Sequence, residues 1–87
     1  MAFVYILQCA DDTLYTGWTT DIERRILEHN TSKKGSRYTR ARRPVRLVYT
    51  ESIADNIAAM QREAQIKKLS RMQKLQLIKD KTRVTPD

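Results

Sequence analysis

Arg25 and His29 stand four residues apart, a spacing that puts both side chains on one surface of a helix. Tyr5 and Tyr15 flank the turn-forming pair Asp11-Asp12. A three-residue loop at 10–12 places Tyr5 opposite Gly17, with Tyr15 one diagonal step away on the same face; a loop one residue longer or shorter sends the tyrosines to opposite faces. Glu63 sits between the apolar groups of a later helix, beside Arg62 and ahead of Lys67 and Lys68. A carboxylate in so basic a neighbourhood is placed where a hard divalent cation is needed to bring phosphate close. The stretch 31–44 holds six cations (Lys33, Lys34, Arg37, Arg40, Arg42 and Arg43), no acid and one aromatic, Tyr38. That combination suits neutralisation of phosphates together with stacking on a base. Taken singly, each residue has a plainer explanation, since tyrosines are favoured in strands, histidines are commonly packed in helix stripes and charge runs are commonly solvated loops.

The elements that must hold these side chains are legible in the pattern. Phe3-Val4-Tyr5-Ile6-Leu7 is β-rich and lacks helical periodicity, so it reads as a strand buried on both faces. Thr13 to Trp18 has the same composition directly after the turn, which predicts an antiparallel hairpin. Thr20 opens a Thr-x-x-Glu capping box ending at Glu23, predicting a helix over about 21–30 whose buried stripe is Ile22, Ile26 and His29. Arg25 lies about 60° from Ile22 on that helix while Arg24 points away. After the basic stretch, 45–50 reads as a third strand. Ser52 with Asp55 then opens a second helix over about 53–69, and Ser70 with Gln73 a third reaching about Ile78. The second helix carries two apolar groups, Ile53, Ile57, Met60 and Ala64 on one side and Ala58, Ala59, Ile66 and Leu69 on another, a pattern expected of a sandwiched helix. The predicted class is α+β, a three-stranded antiparallel sheet flanked by three helices in the order β-β-α-β-α-α. It forms one domain over 1–80, with a frayed or disordered tail at 81–87.

Composition narrows the partner. Seventeen Lys and Arg against ten Asp and Glu leave a net charge of +7, which favours a polyanion. Forty per cent hydrophobic residues with two Gly and two Pro are too apolar for a disordered basic tail. Cys9, the only cysteine, excludes an intrachain disulfide and a multi-thiolate zinc site, and a reducing cytoplasm is the expected compartment. The apolar run Phe3–Leu7 is too short to span a bilayer, and Tyr38 has no bulky apolar partner in its loop, so no membrane partner is expected.

Val4-Tyr5-Ile6, Tyr15-Thr16-Gly17, Arg25 ten residues beyond Tyr15, then His29, then Glu63 in Glu-Ala-Gln-Ile-Lys-Lys form an ordered set that resembles the GIY-YIG nuclease family over about residues 3–80. The run Arg24-Arg25-Ile26-Leu27-Glu28-His29-Asn30 is similar to its small, stand-alone bacterial branch (UPF0213-like) and to nucleases that process branched DNA. The resemblance implies a metal-dependent endonuclease hydrolysing phosphodiester bonds in DNA, with one Mg²⁺ or Mn²⁺. By position, Tyr5 matches the family's proposed general base and Tyr15 the tyrosine that positions nucleophile and phosphate. Arg25 matches the arginine that stabilises phosphoryl charge, Glu63 the metal-binding glutamate, and His29 a site position that carries Tyr or His. The first motif lacks its leading glycine, and Trp18 stands where several branches carry a lysine; His29 is then expected to share the task of deprotonation.

Low sequence specificity is expected, with structured or damaged DNA or a partner protein deciding where the chain acts. The rival expectation is a non-catalytic nucleic-acid-binding module on the same fold, for DNA or RNA, working through residues 31–44.

Overall fold

The computed structural model describes residues 1–83. The order is β1 (Ala2–Gln8), β2 (Leu14–Thr19), α1 (Ile22–Thr31), α2 (Arg37–Arg40), β3 (Arg46–Ile53), α3 (Asn56–Lys67) and α4 (Arg71–Arg83). The strands form one antiparallel sheet in the order β2-β1-β3. The hairpin closes through three residues: the Cys9 amide donates to the Thr13 carbonyl and the Asp12 amide to the Cys9 carbonyl, both at 2.9 Å. Asp12 takes the left-handed conformation (φ 68°) that this loop requires and that Asp tolerates. With the loop length fixed, the register follows, pairing Tyr5 with Gly17 and Leu7 with Tyr15.

β1 is central, and its alternation divides the interior. Val4 and Ile6 face α3 and α4, packing with Tyr49, Ala59 and Ile66. Tyr5, Leu7 and Cys9 face α1, packing with Val45, Tyr15, Ile22 and Ile26. A register shift in the β1–β3 pairing between Ile6 and Leu7 leaves Val48 as the extra residue, so Val48 and Tyr49 both contact the Val4–Ile6 side.

Several boundaries differ from the sequence expectation. α1 is capped by Asp21, whose carboxylate accepts from the Arg24 amide at 3.1 Å, one position after Thr20; a charged acceptor is the stronger of two adjacent caps. The third strand runs to Ile53 because Ala2 continues the ladder opposite it, so α3 begins after Asp55, its N-cap. α3 is buried on one side, not two: Ala59 and Ile66 are fully buried, whereas Ile57 is 71% and Met60 52% exposed. Arg62, on the buried side, is accommodated by a bidentate pair with Glu51 of β3 (2.9 and 2.8 Å). Within the basic stretch a single turn, α2, forms where a loop was expected, too short to leave an apolar period. Ser70 and Gln73 do make a reciprocal capping box, 2.9 and 3.1 Å, but α4 continues to Arg83, past the expected end at Ile78. Of the tail expected to fray at 81–87, residues 81–83 are helical and 84–87 lie outside the described residues.

Candidate active site

Tyr5, on the central strand, is 1% exposed. Its ring lies across Gly17 of the neighbouring strand so closely that a Cβ there would meet the phenol oxygen at 2.5 Å and the ring carbon bearing it at 2.6 Å. Gly17 is thus the floor of the Tyr5 site. The Tyr5 hydroxyl is 2.8 Å from His29 Nε2. His29 comes from the last turns of α1 and is fully buried, with Nδ1 2.8 Å from the Thr39 hydroxyl. Tyr15, half-buried, meets the His29 ring edge-on at 5.2 Å and stacks on Tyr38 at 5.9 Å. The Arg42 guanidinium covers the other face of Tyr38, 3.8 Å from the ring centre. His29, Tyr15, Tyr38 and Arg42 therefore form one column from the interior to the surface.

The electrostatics follow from burial. Desolvation pushes the Tyr5 phenol up to about 12, against the lowering effect of the Arg25 guanidinium beside it; Tyr15 and Glu63 act in the raising direction. Desolvation, seconded by the positive charge of Arg25, drives His29 down to about 4, so the ring is neutral at pH 7. Arg25 itself is anchored by Glu28 (3.0 Å) and the Lys34 carbonyl (2.7 Å), whereas Arg24 is largely exposed. Glu63 on α3 has a side chain 21% exposed and pairs with Lys67 at 3.5 Å. Tyr5, Tyr15, Arg25, His29 and Glu63 thus share one electrostatic neighbourhood.

The basic stretch divides by role. Lys33, Lys34, Arg37 and Arg40 are exposed. Arg42 pairs with Asp11 of the hairpin at 3.0 Å, and Arg43 is turned inward, donating to the carbonyls of His29, Ser32 (2.6 Å) and Glu28 (3.4 Å) at the end of α1. Tyr38, read from sequence as a platform for a base, has both ring faces occupied.

A family model described as the GIY-YIG catalytic domain matches residues 1–76. The chain belongs to the GIY-YIG family. It is 58% identical over 77 residues to the UPF0213 protein of Syntrophus aciditrophicus, covering 88% of each chain. With UPF0213 protein DP2720 of Desulfotalea psychrophila it shares 62% identity over 77 residues, 88% of this chain and 70% of that one. Among solved structures, UPF0213 protein BH0048 from Bacillus halodurans is similar with a TM-score of 0.58 at 49% identity, covering 91% of this chain and 84% of that one. Protein EF2693 from E. faecalis gives 0.62 at 37%, covering 98% and 90%.

The GIY-YIG family is a nuclease family, and its members generally use a divalent metal ion. The two motifs that name it are here one hydrogen-bonded strand pair, Tyr5 of the first set on Gly17 of the second. Among the described residues no group of three or more His, Cys, Asp or Glu could hold a metal, and no helix is long and apolar enough to cross a membrane. A lone half-buried carboxylate such as Glu63 fits a cation of the Mg²⁺ kind, which keeps waters and takes its other ligands from substrate phosphate. Sequence reasoning missed three contributors to this GIY-YIG site. Thr39 is fully buried against His29. Asn30 pairs with both backbone groups of Val45, at 2.8 and 3.0 Å. Gly35 lies where a Cβ would come within 2.8 Å of the Glu28 carbonyl oxygen. The signal available was Gly35-Ser36 ahead of Thr39, a helix-cap pattern masked by the surrounding charge.

Proposed function

We propose that the chain is an endonuclease that hydrolyses phosphodiester bonds in DNA with Mg²⁺ or Mn²⁺ and with little sequence preference. The observation that carries this reading is the enclosure of the Tyr5 oxygen by His29, Arg25 and the field of Glu63, beside a surface of exposed cations. Lys33, Lys34, Arg37 and Arg40 would bind phosphate oxygens, contacts that set position without reading sequence; Arg42 and Arg43 are committed chiefly to Asp11 and to α1. Arg25, exchanging Glu28 for a phosphate oxygen on substrate binding, would uncover the phenol and stabilise charge on the phosphoryl group. Tyr5 as phenolate would take one proton from water; the hydroxide adds to phosphorus as the ester P–O bond breaks, and the leaving oxygen collects a proton from solvent. Tyr15 would orient the water and phosphate from the rim. Glu63 would hold the cation, which supplies polarisation of the phosphate and stabilisation of the leaving oxygen.

The test is cleavage of supercoiled plasmid and of labelled single-stranded, duplex and branched DNA and RNA by wild type, Tyr5→Phe and Glu63→Ala. Wild type should cut in Mg²⁺ or Mn²⁺ and not in EDTA, with each variant slower by about 10²-fold or more. Equal trace activity in all three proteins would overturn the enzyme and leave a nucleic-acid-binding module, the second reading. That reading has in its favour that Arg25 is bonded to its own chain at two points.

A further inference from the structure

His29 accounts for the tyrosine contact through Nε2, but what the other ring nitrogen meets decides what Nε2 can do. A neutral imidazole carries one hydrogen, so one nitrogen donates and the other accepts. We propose that Ser36 and Thr39 are positioning residues that hold His29 as the Nε2–H tautomer, so that the imidazole donates to the Tyr5 oxygen instead of accepting its proton. The inference rests on the nuclease reading for its purpose and on the Ser36–Thr39 turn for its geometry.

Two directions of hydrogen bonding are compatible with the heavy atoms alone. In one, the Tyr5 hydroxyl donates to Nε2, Nδ1–H donates to Thr39, and the Thr39 hydroxyl donates to the Ser36 carbonyl at 3.1 Å. In the other, the chain runs the opposite way. The Thr39 amide donates to the Ser36 hydroxyl (3.0 Å), that hydroxyl donates to Thr39 Oγ1 (3.0 Å), Thr39 donates to Nδ1 (2.8 Å), and Nε2–H donates to Tyr5 (2.8 Å). Hydroxyl protons rotate to suit either direction, but the Ser36 backbone amide does not. Its N–H is directed at Nδ1, long at 3.5 Å yet fixed in place by the turn, and a hydrogen on Nδ1 would oppose it. The second direction leaves every donor with an acceptor.

The surroundings agree with this direction. Around the ring stand Tyr5 from β1, Tyr15 from β2, Arg25 and Glu28 from α1 itself, and Arg43 after α2. Two guanidiniums against one carboxylate leave no place for an imidazolium. A proton passing from a phenol at about 12 to an imidazole at about 4 climbs eight pH units, about 10⁸ in equilibrium. As a donor, His29 does the reverse and favours the phenolate, as a hydrogen bond to the charged form does. The expectation that His29 shares in deprotonating the nucleophile is thereby exchanged for a different role: it makes Tyr5 a stronger acid and leaves the phenol proton to depart to solvent when Arg25 moves.

Nitrogen-15 NMR of the full chain at pH 7, with histidine labelled, reads the tautomer directly because His29 is the only histidine. The expected result is a protonated Nε2 and an unprotonated Nδ1; a protonated Nδ1 overturns the proposal. Thr39→Val removes the hydroxyl with the shape kept, and Thr39→Ser restores it. Thr39→Val should move the rise of the cleavage rate with pH upward by about one unit, about tenfold slower at fixed pH, with Thr39→Ser close to wild type. An unchanged profile in Thr39→Val overturns the proposal even where stability drops. Should wild type not cut DNA at all, the nuclease reading falls, while the NMR result still decides the tautomer.

Discussion

A glycine beneath its ring and a histidine at its oxygen fix Tyr5 from two directions, and each makes a prediction at the scale of one residue. Gly17→Ala places a methyl group where the phenol stands. The fold should lose about 1–3 kcal/mol, the cost typical of overpacking, and the tyrosine–histidine bond with it. Urea unfolding of Gly17→Ala, Tyr5→Ala and the double variant checks this, since the double variant should be more stable than the sum of the two losses. His29 predicts an acid sensitivity with a definite sign. Its folded value of about 4 lies below the ordinary 6.5, so the unfolded chain binds the proton first. Stability is fully present above pH 6.5 and declines as pH falls towards 4, by on the order of 3 kcal/mol. Thermal melts between pH 7.5 and 5 should show the decline in wild type and a flatter course in His29→Gln; equal slopes would mean the ring is not held neutral. The carboxylates that the fold holds below their usual range, Glu28 and Glu51, add their own losses only at lower pH.

Local elements were readable where neighbouring residues determine them and unreadable where distant ones do. The hairpin register depends on a three-residue loop, and so the facing of Tyr5 and Tyr15 was available from the sequence. Ile53 looked like the start of a helix because its i+4 partner is Ile57, but Ala2, fifty-one positions earlier, claims it for the sheet. Ile57 and Met60 gave α3 an apparent second apolar side that no element covers among the described residues. Thr39 was invisible as a contributor because a threonine among arginines has no periodic signature; only α2, a turn too short to detect, brings it to His29. The same turn assigns the six cations of 31–44 to different tasks. Arg43 holds the carbonyl end of α1 and Arg40 is exposed. Arg43→Met should therefore cost about 1.5–3 kcal/mol in urea unfolding, as loss of hydrogen bonds from a charged donor does, whereas Arg40→Met should fall within about 0.5 kcal/mol of wild type. In nucleic-acid binding the order should reverse, with Arg40→Met losing affinity at unchanged stability.

Across the whole molecule, charge is spread more widely than the basic stretch suggests. Residues 67–81 hold six further cations against Asp80 alone. The hairpin tip is held by one arginine from each region, Arg42 on Asp11 and Arg71 on the Asp12 carbonyl at 2.8 Å. Neutralising Lys33, Lys34, Arg37 and Arg40 together should thus weaken duplex binding and lower the salt slope by about 0.9 for every phosphate left without its cation, while some binding persists. Anisotropy titrations from 50 to 300 mM salt measure it; an unchanged slope would place the DNA elsewhere. Topology has its own effect. The first strand to leave the ribosome is the middle strand of the sheet, and it waits for Arg46–Ile53 to pair along its second edge and for Ala59 and Ile66 of α3 to roof it. For roughly sixty residues of synthesis, about 3–12 s at ordinary elongation rates, Val4 and Ile6 travel without their cover. Substitutions that delay the docking of α3 should consequently reduce the yield of protein made in cells before they lower the melting temperature of what is recovered.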